Sequence, residues 1–300
     1  MRILVVGAGQ MGAGIAQVCA QAGHEVLLND REERFIERGI ESIEKNLARA
    51  VERGKMSAEE RGKVLAHIDA RPHLGDLDVE LAIEAATENL RVKLEIFRLL
   101  NDSVAPETIL ASNTSSISIT KLAAAVDHPE RVVGMHFMNP VPVMKLVEVI
   151  RAIQTSEATA KFVLDLARGL GKTPVESRDY PGFIANRVLL PMLNEAIYAV
   201  YEGVGSIEAI DTVMKLGMNH PMGPLELADF IGLDTCLAIM EVLHEGLGDT
   251  KYRPCPLLRQ YVDAGWFGKK TGRGFYVYRD GEKHLPEAAP NGAATLARSS

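Results

Sequence analysis

The sequence predicts an α/β domain with a mostly parallel sheet, followed by an all-helical domain. Short apolar runs alternate with longer amphipathic stretches up to about residue 178, and beyond that point only helical periodicity continues. Such alternation is typical of a sheet with helices on both faces. We therefore expect a sheet domain over residues 1–179, a helical substrate and dimerisation domain over 180–280, and a disordered tail over 281–300 that is rich in Ala, Pro, Gly and Ser.

Seven apolar runs predict the strands, and the first of them lack strict alternation, as expected for strands buried on both faces. The predicted strands cover residues 3–6, 25–29, 81–85, 108–111, 131–137, 146–150 and 173–176. The predicted helices of the first domain cover residues 11–22, 32–53, 58–66, 90–104 and 157–170. In the second domain we expect helices at 183–201, 207–216, 225–243 and 257–264, with no strand.

Composition excludes several classes of protein. The net charge of -7 argues against nucleic acid as a partner, because phosphate binding usually requires a basic excess. No apolar run is long enough to cross a membrane, and the chain opens directly on a strand, so we expect a soluble cytoplasmic protein without a signal peptide. The three cysteines are scattered, which favours buried reduced thiols, and no metal-ligand cluster is visible.

A glycine-rich motif, GAGQMG at residues 7–12, follows the first strand and opens a helix. In that context Gly7 permits a tight turn, Gly9 lets the backbone approach a pyrophosphate, and Gly12 lets the helix pack on the sheet. The helix N-terminus, including Gln10 and Met11, then presents free N–H groups to the phosphates. The motif predicts a Rossmann-type dinucleotide site; the alternative is an ordinary strand, turn and helix with chance glycines.

Asp30 ends the second strand, eighteen residues after Gly12. A carboxylate at this position accepts hydrogen bonds from the adenosine ribose and would repel a 2′-phosphate, which predicts NAD rather than NADP. The adjacent Arg31 weakens this prediction, since an arginine nearby can hold a 2′-phosphate.

Five further motifs resemble those of the L-3-hydroxyacyl-CoA dehydrogenases. They are SNTSS from Ser112, GMHFMNPVP from Gly134, KLVEVI from Lys145, YPGFIANR from Tyr180 and GKKTGRGFY from Gly268. The resemblance covers residues 1–278 and is strongest to the short bacterial members, which are often 3-hydroxybutyryl-CoA dehydrogenases. It implies reversible, NAD-dependent oxidation of a 3-hydroxyacyl-CoA in fatty acid and butanoate metabolism, by a homodimer that uses no metal.

Oxidation of a secondary alcohol requires a base, and histidine is the natural base near neutral pH. His136 lies at the end of an apolar strand, which in a parallel sheet faces the ligand crevice. Glu148 interrupts the apolar run at 146–150, and a buried carboxylate needs a partner. From the residues alone, a structural histidine and a solvent-facing glutamate remain possible. The resemblance implies that His136 is the general base and that Glu148 orients it.

The resemblance assigns the other site residues. It implies a catalytic serine at Ser115, with Ser116 the less favoured choice, and a hydrogen bond from Asn186 to the reacting oxygen. It also implies cofactor contacts from Glu88, Lys93, Asn113, Ser115, Asn139 and Lys270. Without it, the serines would be read as a turn or helix cap, Asn186 as a solvated residue, and Glu88 with Lys93 as an exposed ion pair.

The substrate side is the least determined part of the sequence. Six cations could receive the CoA phosphates, although interleaved acids make a solvated face about as plausible: Lys45, Arg49, Arg53, Lys55, Arg61 and Lys63. Two alternative hypotheses remain open: an NAD-dependent dehydrogenase of a non-CoA hydroxy acid such as a sugar acid, and a non-catalytic protein on the same fold.

Overall fold

The computed structural model describes residues 1–75 and 77–286, and the chain divides into two compact units. The sheet unit is Met1–Phe183, and the helical unit begins at Ile184. Within the described residues, no helix is long and apolar enough to span a membrane.

The sheet unit contains one eight-stranded sheet in the order β3-β2-β1-β4-β5-β6-β7-β8. All neighbouring strands are parallel except β6 and β7, which are antiparallel. The strands are β1 (Arg2–Val6), β2 (Glu25–Asn29), β3 (Ile68–Ala70), β4 (Leu81–Glu84), β5 (Ile109–Ser112), β6 (Val132–Phe137), β7 (Leu146–Arg151) and β8 (Thr173–Arg178). The order changes direction between β1 and β4, where doubly wound sheets open their ligand crevice.

Within the described residues, six helices cover this sheet, and alternate side chains of its central strand β1 pack against different helices. They are α1 (Gln10–Gln21), α2 (Glu33–Glu52), α3 (Ala58–Ala66), α4 (Leu90–Ser103), α5 (Ile119–Ala123) and α6 (Glu157–Gly169). Ile3 and Val5 of β1 belong to one apolar cluster with residues of α1, α2 and α6, whereas Leu4 and Val6 belong to a second cluster with residues of α4 and α5. β1 is therefore buried on both faces, as expected for a central strand of a parallel sheet with helices on both sides, and the predicted fold class is confirmed.

The helical unit has its own apolar core. Its helices are α7 (Ala185–Tyr201), α8 (Ile207–Thr212), α9 (Pro224–Ile231), α10 (Leu233–Leu247) and α11 (Pro256–Asp263). The single helix expected at 225–243 is broken at Gly232, whose φ of 105° no L-residue adopts easily. That break separates α9 from α10.

Three short strands depart from the sequence expectations. β3 was not expected, because its three residues are mostly exposed and carry no apolar run. The helical unit also contains a hairpin of β9 (Val277–Arg279) and β10 (Glu282–His284), so the expected absence of strands there is wrong. Disorder expected from residue 281 is likewise wrong for Glu282–His284, whose backbone pairs with β9 around Gly281 (φ 83°). The remainder of that tail, residues 287–300, lies outside the described residues.

Candidate active site

A buried histidine–carboxylate pair lies near the carboxyl end of β6. His136 on β6 is directly opposite Glu148 on β7, and the distance from His136 Nδ1 to Glu148 Oε2 is 2.8 Å. Their side chains are 10% and 2% exposed. When the carboxylate accepts a hydrogen bond from Nδ1–H, the neutral ring has its lone pair on Nε2 and can take a proton there.

The antiparallel register explains why the two residues meet. Directly opposed residues project from the same face of a sheet, with Cβ atoms about 5 Å apart. Glu148 has the buried neighbours Val147 and Val149 on its strand, so its charge would be costly without a partner. The Phe183 ring packs against the His136 ring with 6.0 Å between centroids. The sequence-based expectation that His136 and Glu148 contact each other is confirmed.

The turn that joins β6 to β7 carries Asn139, which is exposed and precedes a cis peptide bond to Pro140. Lys172 holds this turn: its Nζ donates to the carbonyl oxygens of Val141 at 2.5 Å and Met144 at 2.8 Å. Burial lowers the pKa of Lys172. The sequence does not reveal this lysine, because nothing in its local pattern separates it from a surface residue.

The glycines of the GAGQMG motif fall into two groups. A Cβ on Gly12 would lie 1.6 Å from the carbonyl oxygen of Gly7, and a Cβ on Gly7 would lie 2.6 Å from that of Ala85. These two positions therefore need glycine for the fold itself. A Cβ on Gly9 would have no atom within 4 Å, and the φ of -67° at Gly9 is open to any residue.

Gly9 caps α1, and the start of this helix is open to a ligand. No side chain caps the helix, and its first turn has no acidic residue. The first N–H groups, including those of Gln10 and Met11, therefore have no intrahelical partner and face an uncrowded surface. Such an end binds an anion well, so these residues fit the pyrophosphate of a dinucleotide.

Asp30 follows β2 and is fixed beside the glycine-rich turn. Its Oδ2 accepts a hydrogen bond from the Ala8 amide and its Oδ1 one from the Arg31 amide, both at 2.8 Å. The Arg31 side chain pairs with Glu32 at 3.5 Å and lies over the Phe35 ring. The structure thus gives Arg31 local partners, while the carboxylate of Asp30 stays at the turn.

The serine loop, residues 112–116 between β5 and α5, is held by carboxylates. Glu88 Oε1 accepts hydrogen bonds from the Ser115 amide at 3.0 Å, the Ser116 amide at 2.9 Å and the Thr114 hydroxyl at 2.6 Å. The hydroxyls of both serines also donate to this oxygen. Burial opposes ionisation of Glu88, but nearby Lys93 and these hydrogen bonds outweigh it and lower the pKa of Glu88.

Lys93 differs from the exposed ion pair that its sequence context alone would suggest. Its side chain is 1% exposed, and its Nζ donates to both oxygens of Glu84, at 2.7 and 2.9 Å. Glu84 is not among the site residues predicted from the sequence, although its pattern, an acid that ends an apolar strand, is the one that identifies Asp30. Asn113 joins the same strand ends, because its amide donates to the Glu84 carbonyl and its Oδ1 accepts from the Phe137 amide.

Asn186 and Lys270 belong to the helical unit. Asn186 lies in the first turn of α7, and Lys270 lies in a short 3-10 turn where its Nζ contacts Asp234 Oδ2 at 2.7 Å. The buried Asp229 of α9 holds the segment that follows, accepting hydrogen bonds from the amides of Phe275 and Tyr276. Burial raises the pKa of Asp229 to about 6 despite these bonds.

The six candidate CoA cations lie on and around α2 and α3. Lys45 pairs with Glu41 at 3.7 Å and Lys63 with Glu59 at 2.7 Å. Within the described residues, Arg49, Arg53 and Lys55 form no ion pair and are exposed. The described residues contain no cluster of three or more His, Cys, Asp or Glu that could hold a metal ion.

Comparison with known families assigns both units. Residues 2–180 match the family described as "3-hydroxyacyl-CoA dehydrogenase, NAD binding domain", and residues 182–278 match "3-hydroxyacyl-CoA dehydrogenase, C-terminal domain". The chain belongs to the 3-hydroxyacyl-CoA dehydrogenase family. The resemblance drawn from its motifs is thereby confirmed, and so is NAD as the cofactor of its sheet unit.

Individual members of the 3-hydroxyacyl-CoA dehydrogenase family are similar over nearly their full length. A probable 3-hydroxybutyryl-CoA dehydrogenase of Bacillus subtilis is 60% identical over 280 residues, which is 93% of this chain and 98% of that protein. A 3-hydroxybutyryl-CoA dehydrogenase of Bradyrhizobium diazoefficiens is 58% identical over 286 residues, 95% of this chain and 97% of that one. The crystal structure of (S)-3-hydroxybutyryl-CoA dehydrogenase from Ralstonia eutropha superposes with a TM-score of 0.91 at 48% identity, covering 93% of this chain and 99% of that one.

The two groups of glycines predict opposite outcomes for alanine substitution. Gly9→Ala adds a methyl group with no protein neighbour, so thermal unfolding should match the wild type while the KM for NADH rises about tenfold or more, a loss of roughly 1.4 kcal/mol. Gly12→Ala forces a methyl group onto the Gly7 carbonyl and should destabilise the fold by about 3 kcal/mol.

The measurements are NADH KM and thermal unfolding of both variants. Gly62→Ala serves as the control, since its Cβ would also meet no atom within 4 Å but it lies on α3, away from the turn. A Gly9→Ala protein that binds NADH as tightly as the wild type would show that the cofactor does not approach this backbone.

Proposed function

We propose that this protein oxidises (S)-3-hydroxyacyl-CoA reversibly to 3-ketoacyl-CoA, with 3-hydroxybutyryl-CoA as its substrate and NAD as cofactor. The observation that carries the proposal is the buried His136–Glu148 pair. It lies on β6 and β7 of the same sheet whose strand β1 leads into the open N-terminus of α1. The short acyl chain is proposed from the two bacterial relatives at 58–60% identity, which are named as a probable 3-hydroxybutyryl-CoA dehydrogenase and a 3-hydroxybutyryl-CoA dehydrogenase.

His136 acts as the general base in the proposed mechanism. Its Nε2 takes the proton from the substrate hydroxyl, and Glu148 at Nδ1 holds the tautomer and stabilises the imidazolium that forms. Bound NAD supplies the two-electron acceptor. Ser115 and Asn186 hydrogen-bond the reacting oxygen, and in the reverse direction the protonated His136 returns its proton to the ketone oxygen.

The proposed cofactor contacts follow the carboxyl edge of the sheet. The backbone of Gly7, Gly9, Gln10, Met11 and Gly12 receives the pyrophosphate, and Asp30 accepts from the ribose, favouring NAD over NADP. As the family resemblance implies, Glu88, Asn113, Ser115, Asn139 and Lys270 would supply further contacts to the cofactor. Lys93 contributes through Glu88, because its own side chain is buried.

The CoA phosphates are proposed to bind the cations of α2 and α3. Among the described residues, the three exposed cations of this set without ion pairs are Arg49, Arg53 and Lys55, and each can donate a hydrogen bond to a phosphate oxygen without first breaking a salt bridge. We place the enzyme in the cytoplasm, in fatty acid β-oxidation and butanoate metabolism, which is where a reaction on a short acyl-CoA belongs.

The substrate class is tested by NADH oxidation with acetoacetyl-CoA, free acetoacetate and a keto sugar acid at equal concentrations. Acetoacetyl-CoA should be preferred in kcat/KM by at least about a hundredfold, because the CoA contacts add binding energy of a few kcal/mol. Turnover of only the free acids would replace the proposal with a non-CoA dehydrogenase, and no turnover of any of them would support a non-catalytic role.

Arg53→Gln tests, in the same assay, whether the CoA phosphates bind the cations of α2 and α3. This variant should raise the KM for acetoacetyl-CoA several-fold and leave the KM for NADH unchanged. Lys161→Gln is the matched control, since it removes an exposed cation from α6, where Lys161 pairs with Asp165. An unchanged KM in Arg53→Gln would move the CoA site away from α2.

We also propose a homodimer assembled through the helical unit. Within the described residues, six large apolar side chains of this unit are more than half exposed, namely Val188, Val204, Val213, Leu216, Met218 and Phe230. Exposed apolar side chains in such number favour burial by a second copy.

Sedimentation of the wild type should give twice the chain mass. Leu216→Lys should shift the sedimenting species toward the monomer, because it places a charge on the exposed apolar surface. Ile153→Lys is the control and should leave the dimer intact, since Ile153 is also exposed but lies in the sheet unit. A monomeric wild type would rule the dimer out.

A further inference from the structure

Glu84 is a buried carboxylate that the reaction itself does not use. It is the last residue of β4 and is fully buried, where an ionised carboxylate is stable only if paired and hydrogen-bonded. Its Oε1 accepts from Lys93 Nζ and the Ala86 amide, both at 2.7 Å. Its Oε2 accepts from Lys93 Nζ at 2.9 Å and from the Ser112 hydroxyl at 2.6 Å. Four hydrogen bonds thus fix this group.

Lys93 connects Glu84 to a second carboxylate. Its Nζ, close to both oxygens of Glu84, is also 3.6 Å from Glu88 Oε2. Within the described residues these are the two carboxylates that Lys93 pairs with. Lys93 therefore pairs with two carboxylates, and its contact with Glu84 is the closer of the two.

Both carboxylates hold the serine loop, but at different points. Glu84 holds its start, because the Ser112 hydroxyl donates to Glu84 and accepts from the Thr114 amide at 3.2 Å. Glu88 holds its end through the amides of Ser115 and Ser116. The loop is thus fastened to two groups whose separation Lys93 controls.

We propose that Glu84 is a positioning residue, which keeps Lys93 away from Glu88 and so leaves Glu88 Oε1 bonded to the amides of Ser115 and Ser116. If the charge of Glu84 is removed, Glu88 is the carboxylate that remains paired with the ammonium group of Lys93. Glu88 Oε2 then moves toward Nζ, and Oε1 leaves the loop, because electrostatic attraction is strong where water is excluded. The consequence for turnover rests on the proposed role of Ser115.

The first test measures the loop directly and needs no substrate. Amide hydrogen exchange at Ser115 and Ser116 should be at least about tenfold faster in Glu84→Gln than in the wild type, while buried amides of β7 such as Val149 keep their protection. A mere loss of global stability would speed all protected amides together. Unchanged exchange at Ser115 and Ser116 would overturn the proposal.

The second test measures kcat with saturating NADH and the substrate that the wild type turns over. Glu84→Gln should lower kcat about tenfold, and the Glu84→Gln/Ser115→Ala double variant should be no slower than Ser115→Ala alone, because Glu84 acts through Ser115. Losses that multiply in the double variant would overturn the link to Ser115. Faster exchange with an unchanged kcat would instead refute the role of Ser115 given under the proposed function and leave the Glu84 contact intact.

Arg131→Gln is the matched control. Arg131 is also a buried charge, bonded to the carbonyl oxygens of Ala105 and Thr108, but it precedes β6 at the opposite edge of the sheet. This variant should unfold at a lower temperature with unchanged kcat and unchanged exchange at Ser115.

If Glu84→Gln fails to fold, Ser112→Ala replaces it. This variant removes one hydrogen bond to Glu84 and should accelerate hydrogen exchange at the amides of Ser115 and Ser116 by a smaller factor. Unaltered exchange in that variant would count equally against the proposal.

Discussion

The antiparallel pairing of β6 with β7 is the constraint on which the proposed chemistry depends. In a sheet whose other neighbouring strands are parallel, this one reversal places Glu148 directly opposite His136. A register shift of one residue would turn the carboxylate to the opposite face, since successive side chains alternate. Such a shift would place Glu148 on the face where Val147 and Val149 pack in the apolar core, so the cost of an unpaired buried charge disfavours it.

The same edge of the sheet holds other groups by polar side-chain contacts. Asp30 bonds the glycine-rich turn, Glu84 bonds the serine loop through Ser112, and Asn113 ties the end of β5 to the ends of β4 and β6. Each contact links two neighbouring strand ends, so the backbone positions that would surround a cofactor are fixed before it binds. Preorganisation of this type reduces the reorganisation that a reaction requires.

Sequence alone predicted the parts of the molecule that follow local rules. The apolar strands and the GAGQMG turn are confirmed, because each depends on periodicity or on local turn chemistry. The contact of His136 with Glu148 is also confirmed, but it came from the family resemblance, since the residues alone left a solvent-facing glutamate open. The roles assigned to Ser115, Asn186 and the cofactor contacts came from the resemblance and stay predictions. The break at Gly232 was missed, because a glycine inside an apolar helical pattern does not reveal its positive φ. Lys93 could not be placed from its spacing to Glu88, since its partner Glu84 lies nine residues away on another element.

A double-mutant cycle on kcat/KM with His136→Gln and Glu148→Gln tests the proposed chemistry most directly. If Glu148 works only by orienting and stabilising His136, His136→Gln should lose at least about a hundredfold, and the double variant should match it within about threefold. Thermal unfolding of each variant separates loss of fold from loss of function. Losses that multiply, or a His136→Gln protein that keeps its fold and most of its activity, would contradict the assignment of His136 as the base that Glu148 serves.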